Sequence, residues 1–243
     1  MRDWIGKRYW LVGASEGLGE ALAHRLSRAG AELVLTARSR EKLDNLADDL
    51  PGRAVVEPGD VTDAEGLQAI FDRHEIDGVV QMAGVYWPFG AKDWDAEKAT
   101  MMADVNFTGA MRLMGVVLPR FVERDAGHIV LTGSLSGFRG LPGSAPYVAS
   151  KAGVMALAES LHADLRRTGV DVQLVNPGFV RTRLTDKNDF KMPFIMEPAD
   201  AARRVFEHMN GDSFKKSFPT GFSYVFRGGQ FLPDGIYYRI FGA

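Results

Sequence analysis

No cysteine occurs among the 243 residues, which excludes a disulfide framework, a thiolate metal site and a cysteine nucleophile. The five histidines show no metal-ligand spacing, so no metal site is predicted. No apolar run approaches the roughly 20 residues of a membrane-spanning helix, and the N-terminus lacks the apolar stretch of a signal peptide. We therefore expect a cytoplasmic protein.

An excess of positive charge is also absent. The formal net charge is −2, so nothing indicates a nucleic-acid partner. Hydrophobic residues make up 46% of the chain, which is enough for a sizeable core, and α/β domains of this length often remain single. We expect residues 1–243 to form one domain.

Short apolar runs alternate with longer helical patterns along the chain. The runs RYWLVGAS, ELVLTAR and GHIVLTGS predict strands, and segments such as GLGEALAHRLSRAG predict helices. One longer helix is expected from about Asp95 to Phe121. This alternation predicts an α/β fold, with a doubly wound, Rossmann-like parallel sheet covered on both faces. Ligands of such sheets bind at the carboxyl ends of the strands, where the site is expected.

A glycine-rich loop follows the first predicted strand. The segment VGASEGLGEAL places Gly13, Gly17 and Gly19 between a strand and a helix, whose N-terminus offers free N–H groups to a phosphate. The spacing G-x-x-x-G-x-G differs from G-x-G-x-x-G, and an ordinary tight turn is the alternative. In its strand–loop–helix context the loop favours dinucleotide binding, with Ser15 and Leu18 as further contacts.

The end of the second predicted strand indicates which dinucleotide is bound. In TARSREK, Ala37 stands where an acid for the ribose 2′-hydroxyl is expected, and Arg38 and Ser39 follow. An arginine there suits a 2′-phosphate, whereas Glu16 in the glycine loop counts against one through its charge. The sequence therefore favours NADP(H) over NAD(H), with an ordinary surface role for Arg38 as the alternative.

The motifs, taken in order, resemble those of the short-chain dehydrogenase/reductase family in its compact single-domain form. They are GASEGLG, GDVTD, QMAG, DVNFTG, GSLSG, YVASK and NPGFVRT, and they cover roughly residues 8 to 185. The resemblance implies a catalytic tetrad of Asn106, Ser134, Tyr147 and Lys151. It also implies cofactor contacts from Asp60, Val61, Ala83, Gly84, Tyr147, Lys151, Pro177, Gly178, Val180 and Thr182.

Tyr147 and Lys151 stand four residues apart at the start of a predicted helix, and therefore on one face of it. Ketone reduction needs a proton on oxygen, and the reverse reaction must remove a proton from a phenol with a pKa of about 10. A nearby ammonium group lowers such a pKa. We predict that Tyr147 is the acid/base and that Lys151 lowers its pKa.

The resemblance assigns further roles. Ser134 would hold the substrate oxygen, Lys151 would also bind the nicotinamide ribose, and Asn106 would support a water in a proton relay. One motif departs from the family pattern, because QMAG has Gln81 and Met82 where two asparagines are usual. The hydrogen bonding of that strand is therefore left open.

Two C-terminal segments bear on the substrate. Residues 183–197 occupy the position of the substrate lid in the family, and their apolar side suits a non-polar substrate, with ordinary core packing as the alternative. Residues 212–243 form an aromatic C-terminal extension, which is atypical of the family. Three interpretations of this tail stay open: a wall for a bulky apolar substrate, a subunit contact, or contact with a membrane surface, which its few basic residues disfavour.

Together these features predict an oxidoreductase that transfers a hydride between NADP(H) and an apolar carbonyl or secondary alcohol substrate. We expect a homodimer or homotetramer. The alternative is a non-catalytic protein that senses NADP(H) on the same fold, which the intact tetrad disfavours. A serine hydrolase is not favoured, because GSLSG lacks the G-x-S-x-G spacing and the following helix of a nucleophile elbow.

Overall fold

The computed structural model describes residues 2–242, in which seven strands form one parallel sheet of order β3-β2-β1-β4-β5-β6-β7. Strands β2 and β3 are added on one side of β1, and strands β4 to β7 are added on its other side. Ligands of open α/β sheets bind at such a switch point. The strands are β1 (Arg8–Val12), β2 (Glu32–Thr36), β3 (Ala54–Val56), β4 (Gly78–Gln81), β5 (Gly127–Thr132), β6 (Val170–Pro177) and β7 (Lys215–Phe218).

Helices cover both faces of the sheet. Trp10 packs into one apolar core with α3, α5 and α6, whereas Leu11 packs into a second core with α1, α2 and α7. Alternate strand residues thus face opposite layers, as expected for a sheet buried on both sides. The predicted Rossmann-like, single-domain α/β fold is confirmed. The helices are α1 (Gly17–Arg28), α2 (Arg40–Asp49), α3 (Ala64–Asp72), α4 (Ala96–Ala103), α5 (Gly109–Glu123), α6 (Ala145–Leu165), α7 (Pro198–Met209), α8 (Thr220–Gly229) and α9 (Asp234–Phe241).

Within residues 2–242, every helix is too short or too polar to cross a bilayer.

Two elements differ from the sequence prediction. The helix expected from Asp95 to Phe121 is divided by a π-helical turn over Asp104–Thr108, which lies between α4 and α5. Apolar periodicity continues through the turn and does not reveal it. The seventh strand, β7, was not predicted, because its four residues KKSF are short and begin with two exposed lysines.

A buried histidine lies in the middle of the sheet. His128 is 1% exposed, and its two ring nitrogens lie 2.8 Å from Tyr9 Oη and 2.9 Å from Gln173 Oε1. Burial penalises the charged imidazolium, and it lowers the pKa of His128 from 6.5 to about 3.

We expect acid to destabilise the fold through His128. Below about pH 6.5 the unfolded chain binds a proton at His128, whereas the folded chain binds one there only below about pH 3. The free energy of unfolding therefore decreases by about 1.4 kcal/mol per pH unit between these two values. His128→Gln removes this titration. From pH 7 to pH 5, urea unfolding should show wild type losing roughly 2 kcal/mol more than the variant. Equal losses in the two proteins would contradict the assignment.

Candidate active site

Tyr147 lies where two cavities meet at the carboxyl edge of the sheet. Together with Ser134, it lines a cavity of about 630 Å³. With Lys151, it lines a second cavity of about 730 Å³. Both Tyr147 and Lys151 lie in the first turns of α6, which has Pro146 at its start, a position where proline suits a helix. The helix therefore presents these two side chains to the same junction.

Burial determines the protonation of the Tyr147–Lys151 pair. It raises the pKa of Tyr147 to about 12, and a hydrogen bond from Ser134 offsets part of this rise. It lowers the pKa of Lys151 to about 8. Lys151 Nζ donates to the Thr132 carbonyl at 2.9 Å and lies 5.9 Å from the centre of the Tyr147 ring. Desolvation therefore raises the pKa of Tyr147 above its usual value, while the lowering by Lys151 that the sequence predicts stays a prediction.

Ser134 lies at the start of a 3-10 turn over Leu135–Phe138 that directly follows β5. Its Oγ accepts a bond from the backbone N–H of Ser136 at 3.2 Å and lies 2.9 Å from Ser136 Oγ. Two hydroxyl groups therefore face the cavity beside Tyr147. The sequence favoured Ser134 alone, and Ser136 now joins it as a neighbour that orients its hydroxyl.

Asn106 is fully buried in the π-helical turn and holds the loop that follows β4. Its Oδ1 accepts a bond from Val85 N at 2.7 Å, and its Nδ2 donates to Val85 O at 3.0 Å and to Ser150 Oγ at 3.1 Å. A Cβ built on Gly84 would lie 3.3 Å from Asn106 Oδ1 and 3.8 Å from Lys151 Nζ. The amide and the ammonium group therefore converge at Gly84, while the proton-relay role of Asn106 stays a prediction.

Two glycines of the segment that joins β1 to α1, Gly13 and Gly19, have no space for a side chain. Gly13 has φ 92°, and a Cβ there would overlap the Ala83 backbone, while a Cβ on Gly19 would overlap the carbonyl of Gly13. The first residue before α1, Glu16, makes no side-chain cap. The backbone N–H groups at the start of this 12-residue helix therefore stay available to a phosphate group.

Further along the rim, a cavity of about 330 Å³ beside β2 extends this loop region. It shares Gly13, Met82, Gly84 and Leu184 with the cavity of about 730 Å³, so the two are adjoining parts of one cleft. All of the residues predicted to bind the cofactor line this cleft. They are Gly13, Ser15, Gly17, Leu18, Gly19, Arg38, Ser39, Asp60, Val61, Ala83, Gly84, Tyr147, Lys151, Pro177, Gly178, Val180 and Thr182.

The charges in the cleft favour an anion more than the sequence suggested. Glu16, which counted against a 2′-phosphate, forms ion pairs with Arg183 at 2.5 Å and with Lys42 at 3.6 Å. Arg38 is exposed at the rim and forms no ion pair with any residue in the range 2–242. Ser39 Oγ accepts a bond from Lys42 N at 3.4 Å and caps α2, which leaves its hydroxyl proton free to donate.

Aromatic side chains dominate the cavity of about 630 Å³. Its lining includes Phe222 and Phe226 from α8 and Phe241 from α9, so the tail contributes directly to this cavity. Of the three interpretations of the tail, this arrangement favours the substrate wall. The rim also includes Phe190, from the predicted lid, whose ring centre lies 5.9 Å from that of Phe179.

Tyr86 is a site residue that sequence reasoning missed. Its ring packs edge-on against Tyr147, with the centres 4.9 Å apart, and its hydroxyl donates to Asn188 Oδ1 at 3.0 Å. Its carbonyl accepts a bond from Lys187 Nζ at 2.7 Å. The segment 183–197 is therefore fastened beside Tyr147. The signal was present in the sequence, because Tyr86 follows β4 in a loop that the topology brings to the site.

Comparison with known proteins identifies the family. A family model described as short chain dehydrogenase matches residues 7–192. An uncharacterized oxidoreductase of Myxococcus xanthus is 40% identical over 235 residues, which are 93% of this chain and 93% of that protein. One of Staphylococcus epidermidis is 37% identical over 185 residues, covering 74% of this chain and 80% of the relative.

Solved structures agree. A short-chain dehydrogenase from Sphingobium yanoikuyae in complex with NADPH has a TM-score of 0.82 and 28% identity, and the match covers 91% of each chain. A short-chain dehydrogenase/reductase from Burkholderia phymatum in complex with NAD shares the fold, with a TM-score of 0.86, 24% identity and coverage of 93% and 94%. The chain therefore belongs to the short-chain dehydrogenase/reductase family of oxidoreductases.

Proposed function

We propose that this protein transfers a hydride between NADP(H) and an apolar carbonyl or secondary alcohol substrate, with Tyr147 as the acid/base. One observation carries the proposal: Tyr147 lines both the cleft that begins at the glycine loop and the aromatic cavity. A group that moves a proton during hydride transfer must reach both the cofactor and the substrate.

The cleft fits a nicotinamide dinucleotide. When bound, the cofactor supplies or accepts the hydride. The backbone N–H groups at the start of α1 would hold the pyrophosphate, since Glu16 makes no side-chain cap there. Lys151 would bind the ribose next to the nicotinamide, and Arg38 would bind the 2′-phosphate at the other end of the cleft.

Three side chains take part in the proposed reaction, each with a different role. In reduction, Tyr147 Oη gives its proton to the carbonyl oxygen while the carbon receives the hydride. The Ser134 hydroxyl donates a hydrogen bond to that oxygen as negative charge develops on it. The Lys151 ammonium stabilises the phenolate that remains. Because the pKa of Tyr147 is about 12, the phenol is protonated at neutral pH and ready for reduction.

A panel of ketones and alcohols tests this function. Purified protein is mixed with NADPH or NADH and ketones of increasing size, and with NADP or NAD and the matching alcohols, and the absorbance of the reduced nicotinamide is followed. We expect turnover of apolar ketones with NADPH. The alternative, a protein that senses NADP(H) without catalysis, would bind NADPH in calorimetric titration and turn over nothing in the panel.

NADP(H) preference is the finer part of the proposal. The related structures include one with NADPH and one with NAD, so the cofactor differs within the fold. Support comes from Ala37, which leaves no carboxylate at the end of β2, and from the free guanidinium of Arg38. Glu16 opposes a 2′-phosphate less than its charge suggests, because Arg183 and Lys42 pair with it. The cytoplasmic location and the homodimeric or homotetrameric assembly stay predictions from the sequence.

We expect the double substitution Ala37→Asp and Arg38→Ala to shift preference toward NADH. It removes the cation that binds the 2′-phosphate and places a repulsive carboxylate beside it. Hydrogen bonds to charged groups contribute about 1.5–3 kcal/mol, so the ratio of kcat/KM for NADPH over NADH should decrease at least roughly tenfold. The two ratios are measured at one ionic strength, because salt screens phosphate contacts.

Arg53→Ala is the matched control, since it removes an exposed arginine outside the cleft. Its cofactor ratio should equal that of wild type. A wild-type enzyme that prefers NADH, or a double variant with an unchanged ratio of kcat/KM for NADPH over NADH, would show that Arg38 is an ordinary surface charge.

A further inference from the structure

Arg139 connects the loop that carries Ser134 to the C-terminal helices. It follows the 3-10 turn Leu135–Phe138, and its side chain is only 16% exposed. A guanidinium group this buried needs partners for its charge and for its N–H groups. Its hydrogen-bond partners all come from residues 229–234, between α8 and α9.

One arginine therefore binds the ends of both helices. Arg139 Nη1 donates to the carbonyl of Gly229 at 3.1 Å and to that of Leu232 at 2.6 Å, and Nη2 forms an ion pair with Asp234. The guanidinium carbon lies 4.0 Å from the centre of the Tyr237 ring. Its positive charge faces the carbonyl end of α8, where a cation is favoured. The planar guanidinium group of arginine can donate to several acceptors and lie against a ring face at the same time, which the ammonium group of lysine cannot do.

A second hydrogen bond joins α9 to the loop that carries Arg139. The Tyr237 hydroxyl on α9 donates to the carbonyl of Gly140 at 2.9 Å, and Tyr237 is buried. Gly140 directly follows Arg139. Two side chains thus hold the α8–α9 hairpin on the loop of residues 134–144: Arg139 from the loop and Tyr237 from the hairpin.

The inner face of this hairpin forms the wall of the substrate cavity. Phe222, Phe226 and Phe241 line the cavity that also contains Tyr147. The rings of Phe222 and Phe226 pack edge-on with centres 5.0 Å apart, and the centre of Phe226 lies 6.4 Å from that of Phe241. The distance between the reacting groups and this wall depends on how the hairpin is seated on the loop.

We propose that Arg139 is a positioning residue that seats the α8–α9 hairpin as the aromatic wall of the substrate cavity and so favours bulky apolar ketones over small ones. This inference rests on the proposed carbonyl reduction. On this inference, a ketone with two fused rings makes apolar contacts with the wall that a ketone with one small ring is too short to make.

The test compares KM and kcat for 2-acetonaphthone and cyclohexanone with NADPH. Arg139→Met removes the charge and every side-chain N–H group, Arg139→Lys keeps the charge but loses the planar arrangement of donors, and Arg227→Met removes an exposed charge from α8 as the control. In Arg139→Met we expect KM for 2-acetonaphthone to increase about tenfold or more, from the loss of charge-assisted hydrogen bonds. The kcat for this ketone, and both constants for cyclohexanone, should stay near wild type. Arg139→Lys should be intermediate, and Arg227→Met should equal wild type.

Equal losses for both ketones, or no change for either, would overturn the inference. Calorimetric titration of the NADPH-bound proteins with 2-acetonaphthone needs no turnover. If wild type reduces neither ketone, the proposed function fails, while weaker binding of 2-acetonaphthone by Arg139→Met would still support the positioning role. Equal binding, or none by wild type, would overturn it.

If circular dichroism shows that Arg139→Met is unfolded, Asp234→Asn takes its place. Asp234 is 85% exposed, so its substitution removes the ion pair without opening the core. An increase in KM for 2-acetonaphthone alone would support the inference, and an unchanged KM would overturn it.

Discussion

Replacing Tyr147 with phenylalanine is expected to lower kcat for ketone reduction by about 10²–10⁴-fold, the range typical of general acid–base groups. The substitution keeps the ring, which packs against Tyr86 with centres 4.9 Å apart, and removes only the hydroxyl group that gives its proton to the substrate oxygen. The Kd for NADPH should change little, because the glycine loop and Arg38 provide the main contacts in the proposed binding mode. Steady-state kinetics and calorimetric titration measure the two effects.

Tyr224→Phe is the matched control, since it deletes the same atom from an exposed tyrosine of α8. It should behave as wild type. Turnover of Tyr147→Phe within a few-fold of wild type would show that another group supplies the proton and would remove Tyr147 from the mechanism.

Replacing Lys151 with methionine is expected to have the second largest effect, because one side chain serves two proposed functions. If the 5.9 Å between Lys151 Nζ and the centre of the Tyr147 ring is taken as the separation, a charge at an effective dielectric constant of about 20 contributes about 3 kcal/mol, or about two pKa units, to a phenolate. Its loss should move the pH dependence of alcohol oxidation upward. The Kd for NADPH should also increase, because the ribose loses a donor. Methionine approximates the volume of the lysine stem and so limits packing loss.

The pKa values of Lys151 and Tyr147 indicate the pH range in which the substitution has its largest effect. The pKa of Lys151 is about 8, below that of Tyr147 at about 12, so the ammonium group assists the phenolate mainly below about pH 8. Wild type and Lys151→Met should therefore differ most in that range and converge above it. Lys216→Met, on an exposed position of β7, is the control. A pH profile and a Kd that are both unchanged in Lys151→Met would exclude both functions.

The fold was predictable because its pattern is local. Apolar strands alternate with amphipathic helices over most of the chain, and this alternation has few solutions other than a parallel sheet with two covered faces. The exceptions were elements that depend on distant contacts. The strand β7 pairs with β6 although KKSF has little strand character, and the π-helical turn is accompanied by bonds from Asn106 to Val85 across 21 positions.

The candidate site was predictable where residues follow strand ends in a recognisable order. The convergence of loops at one edge of the sheet predicted where the site lies, and the resemblance to the family placed Ser134, Tyr147 and Lys151 in it. The contacts of Tyr86 and Arg139 could not be predicted, because they join residues 102 and 95 positions apart. The rise in the pKa of Tyr147 could not be predicted either, since the burial that causes it depends on how the loops around it pack.

Transfer of deuterium from the cofactor tests the central claim most directly. NADPH carrying deuterium at the transferable C4 position is incubated with 2-acetonaphthone and wild-type protein, and the alcohol product is analysed by mass spectrometry. We predict one deuterium on the carbinol carbon, formed by wild type and almost absent with Tyr147→Phe. An alcohol without deuterium, or equal deuterium transfer by both proteins, would contradict direct hydride transfer with Tyr147 as the acid.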